Sequence, residues 1–507
     1  MIGTSNREWW SSRTALFIFM VAAALPLLWP SLPPLSDLPG HMGRYKVALD
    51  IDRSPFLSHY FDYHWALVGN LGVDLLVVPL SRVFGLELAV KLITIAIPPL
   101  TVAGMLFTAR EIHGRVPPTA LFALPLAYAY PFQFGFLNFT LAIALMFLGV
   151  GLWLRLGRLG KLRLRAILFV PISFILFIAH SVAWGMFGLI IAAIEIMTAR
   201  KAGQRWPQAV WRGGVACLPL APPVLLMADW WFNRSEGGTG QFWRWTVKLY
   251  HLISVLRNTS RGFDTLSAFI LYALVLLGLR RAGLRMDPRL GFAALILFIA
   301  FLLMPGIVMS AAYADMRLAA YMLAVAVLAL APQSEDPKWR RRIALAGLLF
   351  FAVRLGVQTW TYWKLDRGYQ PQLAAVEHIP MGSRVFAMVN VECLDAWGMS
   401  RMEHLGQMAI VRREAFVNGQ WPMPGGRLLT VTYEAAKGFA LDPTQMRRPK
   451  RCLQSDSITL EHVVAKLPRA AFDYLWLIDF PVADQPRDPG LVPVWQGKRG
   501  ILYRIER

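Results

Sequence analysis

Residues 71–84 read LGVDLLVVPLSRVF, and the topology of the whole chain turns on them. As a membrane crossing they would reverse the side of every loop that follows. On a helical wheel Asn70, Asp74 and Ser81 share one narrow face, while Val73, Leu76, Leu80 and Phe84 share the opposite one and Pro79 interrupts the run. A polar stripe opposite an apolar one is the pattern of a helix lying in the membrane interface rather than spanning it. The stretch is therefore expected to form an amphipathic helix at, or dipping into, the outer interface.

Outward from it the chain is dominated by apolar runs. It has 507 residues, 56% of them apolar and only 16% charged, with a mean hydropathy of +0.45. A soluble protein carries about 25% charged residues, so a soluble globular enzyme is excluded, as are a disordered chain, a collagen and a disulfide scaffold. Runs near 14–30, 88–109, 118–133, 136–154, 166–179, 182–198, 211–231, 264–279, 291–309, 318–331 and 343–362 predict about eleven crossings, at ~1.5 Å per residue over ~30 Å of hydrocarbon. The first run has the form of an uncleaved signal anchor.

Charge sets the orientation. A net charge of +21 would suggest nucleic acid in a soluble chain. Here the cations cluster between crossings: Arg155 to Arg165, Arg200 to Arg212, Arg280 to Arg289 and Lys338 to Arg342. The positive-inside rule puts these loops and the N-terminus in the cytoplasm, and no nucleic-acid partner is expected. Residues 31–87 become a first outer loop and 232–263 a second. The run from Ala166 to Met197, basic at both ends, is expected to be a hairpin of two short crossings turning near His180 and Ser181.

Past residue 371 the texture changes to short β-type runs, SRVFAMVN, RLLTVTY, FDYLWLIDF and ILYRIE, with helical stretches such as ITLEHVVAKLPRA between them. The expected organisation is a polytopic α-helical membrane domain over 1–362 and a C-terminal extracytoplasmic α/β domain over 363–507. Cys217 falls in a membrane segment. Cys393 and Cys452 fall in the outer domain, where a disulfide and two buried thiols are equal alternatives. No C-x-x-C, H-E-x-x-H, Walker or G-x-G-x-x-G pattern is present.

Chemistry is best placed at Ser36-Asp37-Leu38-Pro39-Gly40-His41-Met42-Gly43-Arg44, just beyond the first crossing. Asp37, beside His41 and Arg44, has the position of an interfacial general base; the same carboxylate before Pro39 also suits a helix N-cap. His59, Asp62 and His64 are weak metal candidates, with aromatic packing as the alternative. The second outer loop carries Arg234, Arg244, Lys248, Arg257 and Arg261 against Glu236 alone, which invites an anion such as a lipid phosphate. Arg317 follows Asp315 at the end of a crossing and can fork onto a phosphate. Arg354, inside the last crossing, needs a phosphate, a partner such as Asp229, or a route to the surface. His180 in the hairpin turn is a cavity-lining group or a capped core histidine.

This assembly resembles the GT-C superfamily of integral-membrane glycosyltransferases, which includes protein mannosyltransferases and aminoarabinose transferases. The likeness lies in one crossing, a long outer loop with an Asp near its start, many further crossings, a second long outer loop and an extracytoplasmic tail. The resemblance implies an inverting transfer of sugar from a polyprenyl-phosphate donor to an acceptor glycan, lipid or protein at the periplasmic face of a bacterial inner membrane. It places the catalytic base on Asp37 and donor phosphate binding on Arg317, with Lys248 and Arg257 beside it. No cofactor is implied, a divalent metal being the alternative. Protein mannosyltransferases have an Asp-Glu pair where this chain has Asp37-Leu38, so their second carboxylate is missing. The YPFQFGFLNFT segment offers only Asn138, against a metal-dependent oligosaccharyltransferase. The rival readings are an O-antigen-type polymerase or ligase, and a lipid-linked sugar transporter or flippase.

Overall fold

The computed structural model describes residues 8–227, 238–308, 311–391, 393, 397–421, 428–442, 444–448, 452 and 459–506. The chain divides into two compact units: one holds Met1–Leu28, Leu67–Leu75 and Ile93–Trp360, the other Trp29–Ala66, Leu76–Leu92 and Thr361–Arg507. Each is taken by itself below.

Among the described residues six helices are long and apolar enough to cross a membrane: Leu86–His113, Leu137–Arg158, Leu162–Ala179, Ser181–Lys201, Arg261–Leu279 and Pro337–His378. The chain is a polytopic helical membrane protein. Three shorter apolar helical stretches, Arg13–Leu28, Pro288–Leu303 and Met316–Leu328, fall on further expected crossings. The apolar run 118–133 is not an α-helix: Pro118–Tyr128 is a buried 3-10 segment, followed by the short helix Tyr130–Phe134. Pro118, Pro125 and Pro131 each lack the N–H that an α-helical ladder uses, and hydropathy does not register that loss. The run 211–231 begins inside the helix Trp206–Ala216, and its end, with Asp229, lies outside the described residues.

In the first unit the hairpin Leu162–Ala179 and Ser181–Lys201 turns on His180 alone, whose extended backbone breaks the helix and whose Nδ1 accepts from the Val182 N–H at 3.2 Å. At the hairpin's other end the Arg165 guanidinium donates to Glu195 at 2.9 Å and lies 4.1 Å from the Trp153 ring centroid. The Trp153 indole N–H donates to the same carboxylate at 2.7 Å. One carboxylate thus ties three helices.

The stretch 71–84 is a helix, Gly72–Phe84. Asp74 is buried with Val73 and Val77, while Leu75, Leu76, Val83 and Phe84 are exposed, so one polar residue is held inside and a row of apolar ones faces outward. Such a helix is suited to lipid, not water. Its first turn is fixed by Asn138, whose amide donates to Asp74 and to the Asn70 carbonyl at 2.8 Å each and accepts from the Val73 N–H at 2.6 Å. Backbone bonds Leu71 N–H to Ile178 and Ser181 N–H to Gly69, both 2.8 Å, tie its entry to the hairpin turn.

Arg354 is buried, and its partner is Asp264: one guanidinium N–H donates to that carboxylate at 2.6 Å and another to the Leu256 carbonyl at 2.7 Å. The other Asp264 oxygen accepts from the Asn258 N–H at 2.8 Å, and the Asn258 amide reaches Gln358, which also bonds Gln133. The charge is neutralised in place rather than carried to the surface.

The second unit is built on a mixed sheet with strands in the order Leu491–Gln496, Arg499–Ile505, Tyr474–Pro481, Arg384–Asn390 and Phe416–Val417; Met446–Arg447 pairs with the far end of Arg384–Asn390. Arg384–Asn390 runs parallel to Tyr474–Pro481, while Arg499–Ile505 is antiparallel to it. Val385 to Val389 are all buried, an unbroken apolar run covered on both faces. A short ladder joins Phe61–Tyr63 to Leu429–Val431, and Cys393 is disulfide-bonded to Cys452, with Cα atoms 5.6 Å apart. This unit is not the tail alone: it includes Trp29–Ala66, so the Asp37 segment packs with the sheet.

Replacing Arg354 by Leu leaves Asp264 as an uncompensated buried charge, and a loss of about 3–5 kcal/mol is expected. Thermal unfolding in detergent measures it, and the double variant with Asp264→Leu should recover most of the loss.

Candidate functional site

Within the second unit, Asp37 holds the N-cap position of the helix Leu38–Asp50, which Pro39 helps to start. A capping side chain normally accepts from the second or third N–H of the helix, from an extended backbone. Asp37 has φ −85° and ψ −9°, and its carboxylate accepts no such bond among the described residues. It faces His404 instead, with Oδ1 3.8 Å from Nε2.

Glycine makes this approach possible. Gly40 and Gly43 lie three apart on one face of the helix: a Cβ at Gly40 would run into the Trp421 indole, and one at Gly43 would sit 2.9 Å from the Gln420 amide nitrogen. A chain of amides then links the helix to the sheet. The Gln420 amide donates to the Gly40 carbonyl at 3.3 Å and to Gln407 at 2.8 Å. The Gln407 amide donates to the Asn418 carbonyl at 2.7 Å. Asn418 in turn accepts from the Ala387 N–H at 2.8 Å and donates to the Ala387 carbonyl at 3.1 Å, on the strand Arg384–Asn390. Gln407, Asn418 and Gln420 are buried, and these bonds satisfy polar groups that would otherwise cost stability.

Two histidines line the pocket, both uncharged. Burial holds His404 down at about 3, with its ring 4.8 Å from that of Trp421. His41, one turn on from Asp37, is kept well below the usual histidine range by burial, then by the Arg44 charge and the neighbouring His404. Its ring lies 5.2 Å from Trp421 and 6.2 Å from Tyr45, and the Arg44 guanidinium sits 5.3 Å from the Tyr45 centroid. Glu403 is pushed up to about 7 by burial and by neighbouring Asp442, and Asp442 to about 6 by burial. A carboxylate among neutral imidazoles and an indole suits a neutral hydroxyl compound.

The disulfide spans 59 residues that include His404, Trp421, Asp442 and Gln445. Closing a loop of that length stabilises by about 4 kcal/mol on a chain-entropy estimate.

The expected phosphate ligands fall in the first unit. Arg317 opens the helix Met316–Leu328, capped by Asp315 through the Met316 N–H at 2.9 Å. Its guanidinium donates to the Ala312 carbonyl at 2.7 Å and lies 4.2 Å from the Phe136 centroid. The His180 ring packs on Phe139 at 5.1 Å. Lys248 is engaged otherwise: its ammonium donates to the Phe301 and Met304 carbonyls at 2.8 and 2.6 Å and to Asp315 at 3.3 Å. Three protons meet three acceptors, so Lys248 caps the C-terminal end of Pro288–Leu303. Arg257 donates to the Tyr130 hydroxyl at 2.6 Å, and Arg354 belongs to the ion pair described above. His64 lies 2.9 Å from Asp62, both exposed, while His59 turns to Tyr60. Among the described residues no three such side chains gather as a metal set.

His404, Trp421, Asp442 and Gln445 were not visible as site residues in the sequence. The one local signal is the Gly40/Gly43 pair, which marks a helix face meant for close approach.

Gly40→Ala should displace Trp421 and destabilise the second unit by about 1–3 kcal/mol, read as a lower unfolding midpoint together with faster amide exchange over 404–421. A second expectation concerns acid. His404 titrates near 6.5 when unfolded and near 3 when folded, so its contribution is fully present above pH 6.5 and is lost as pH falls toward 3. His404→Gln should remove this loss, so that as pH falls from 6.5 toward 3 the variant loses less stability, or gains more, than wild type, the opposite slopes of Glu403 and Asp442 being present in both.

No model of a known protein family matches the chain, and no curated protein does. Among solved structures the chain is similar to the crystal structure of ArnT from Cupriavidus metallidurans bound to undecaprenyl phosphate, with 12% sequence identity, a TM-score of 0.47, and coverage of 97% of this chain and 96% of that one.

Proposed function

We propose that the protein is a GT-C-type membrane glycosyltransferase that moves a sugar from a polyprenyl-phosphate donor to an acceptor hydroxyl at the outer face of a bacterial inner membrane, with inversion at C1. The observation that carries this reading is Asp37: a carboxylate on the first outer segment that leaves its capping role unused and faces a neutral histidine in an aromatic pocket. The polytopic helical architecture supports a lipid-borne donor. The disulfide supports an oxidising, periplasmic side for the second unit.

In this reading the acceptor oxygen attacks C1, the bond from C1 to the phosphate oxygen breaks, and Asp37 takes the hydroxyl proton. The leaving polyprenyl phosphate keeps the bonding pair, and Arg317 stabilises its charge. Lys248 and Arg354 serve structure in this scheme, and Arg257 and His180 stay as further candidates for the phosphate. No cofactor enters.

Asp37→Asn should leave expression and donor binding intact and lower transfer by about 10²–10⁴-fold, assayed as acceptor glycosylation by membranes supplied with polyprenyl-phosphate sugar. Full activity in that variant removes the base assignment. Mass spectrometry of lipids co-purifying with the wild-type protein should find a polyprenyl phosphate or its sugar conjugate. Arg317→Ala should weaken its retention by about 1.5–3 kcal/mol. Bulk phospholipid alone in the wild type counts against the donor class.

A further inference from the structure

Gln445 makes two contacts through one atom. Its amide nitrogen lies 2.8 Å from His404 Nδ1 and 3.0 Å from Asp442 Oδ1, while its carbonyl oxygen is buried with no hydrogen-bond partner among the described residues. Gly419, at φ +110°, makes room for that oxygen, since a Cβ there would collide with it. An ionised carboxylate only accepts hydrogen bonds. The group facing Asp442 must therefore be the NH₂, even though the carbonyl is then left unsatisfied. With one proton on Asp442, the other amide proton points at His404 Nδ1, which must be the bare nitrogen. A neutral imidazole bare at Nδ1 carries its proton on Nε2, the atom that faces Asp37.

We propose that Asp442 and Gln445 are positioning residues, which fix His404 in the tautomer protonated on Nε2 and so present an N–H, rather than a lone pair, to Asp37. The functional meaning rests on Asp37 being the base, as proposed above. An N–H beside Oδ1 keeps the carboxylate ionised and in place; a lone pair would repel it. The arrangement also inverts as a unit. When Asp442 is protonated its O–H donates, the Gln445 amide turns its oxygen to both neighbours, and the His404 proton moves from Nε2 to Nδ1.

The other titratable and charged groups around this chain are Glu403, whose carboxyl is raised by Asp442 and lowered by Arg448, and neutral His41 and charged Arg44 on the helix of Asp37. Because burial puts Asp442 near 6, the inversion falls at mildly acidic pH.

The test uses the full-length protein in detergent, labelled with ¹⁵N-histidine, with His404→Gln identifying the His404 signals among the nine histidines. At pH 8 the Nδ1 signal should be that of a bare nitrogen and the Nε2 signal that of a protonated one. The two should exchange character as pH falls through about 6. Asp442→Asn should show mixed tautomers at every pH, whereas Asp442→Glu keeps the wild-type pattern. A wild-type His404 protonated on Nδ1 at pH 8 overturns the proposal, as does an Asp442→Asn spectrum identical to wild type. The wild-type titration decides the matter even if a variant fails to fold. No sugar donor is involved, so the outcome is independent of transfer. Loss of transfer in Asp37→Asn beside an Nδ1-protonated His404 would keep the glycosyltransferase reading and reject this one. Full transfer in Asp37→Asn beside an Nε2-protonated His404 would keep the tautomer assignment and reject the base role of Asp37.

Discussion

The close approach of Trp421 to the backbone at Gly40 is the constraint on which the Asp37 pocket depends. Without it the indole could not cover His404 and His41 together, and both imidazoles would be wet and chargeable. With it, the helix Leu38–Asp50 offers a bare stripe at which Gln420 reaches a main-chain carbonyl. The run of amides through Gln407 and Asn418 then carries the sheet's geometry to the carboxylate. Aromatic cover and a hydrogen-bond ladder together make a rigid setting for the carboxylate.

The first unit solves a different problem, that of keeping charge in an apolar setting. Arg165, Arg354 and Lys248 each meet a carboxylate, and Lys248 and Arg354 add main-chain carbonyls. Removing such groups from water is costly unless every donor is matched. The matching is close to complete for Lys248, whose three protons each have an acceptor.

The parts of this molecule legible in sequence are those governed by periodicity and charge. The hairpin at His180 follows from an apolar run too long for one crossing, with cations at both ends. The helix Gly72–Phe84 follows from the spacing of Asn70, Asp74 and Ser81, although the sequence did not show that Asn138 would take Asp74 and the first turn in hand. The run 118–133 misled because hydropathy counts methyl groups and not missing N–H donors. Asp37 was visible through its place after the first crossing, but its surroundings were not. Nothing local to His404 records a partner some 370 positions away, and Lys248 reads as an available cation until the carbonyls of Phe301 and Met304 are placed beside it.

A pocket drawn from such distant stretches also has a history in time. Asp37 leaves the ribosome about 400 residues before Gln445, which at ~5–20 residues per second is roughly 20 to 80 s. Throughout that interval the Gly40 face has no indole over it and His404 does not yet exist. The carboxylate is made early and completed late, so a nascent chain already threaded into the membrane carries an unfinished centre. The pocket then closes only with the arrival of the tail, which makes synthesis of the last hundred residues the event that completes it.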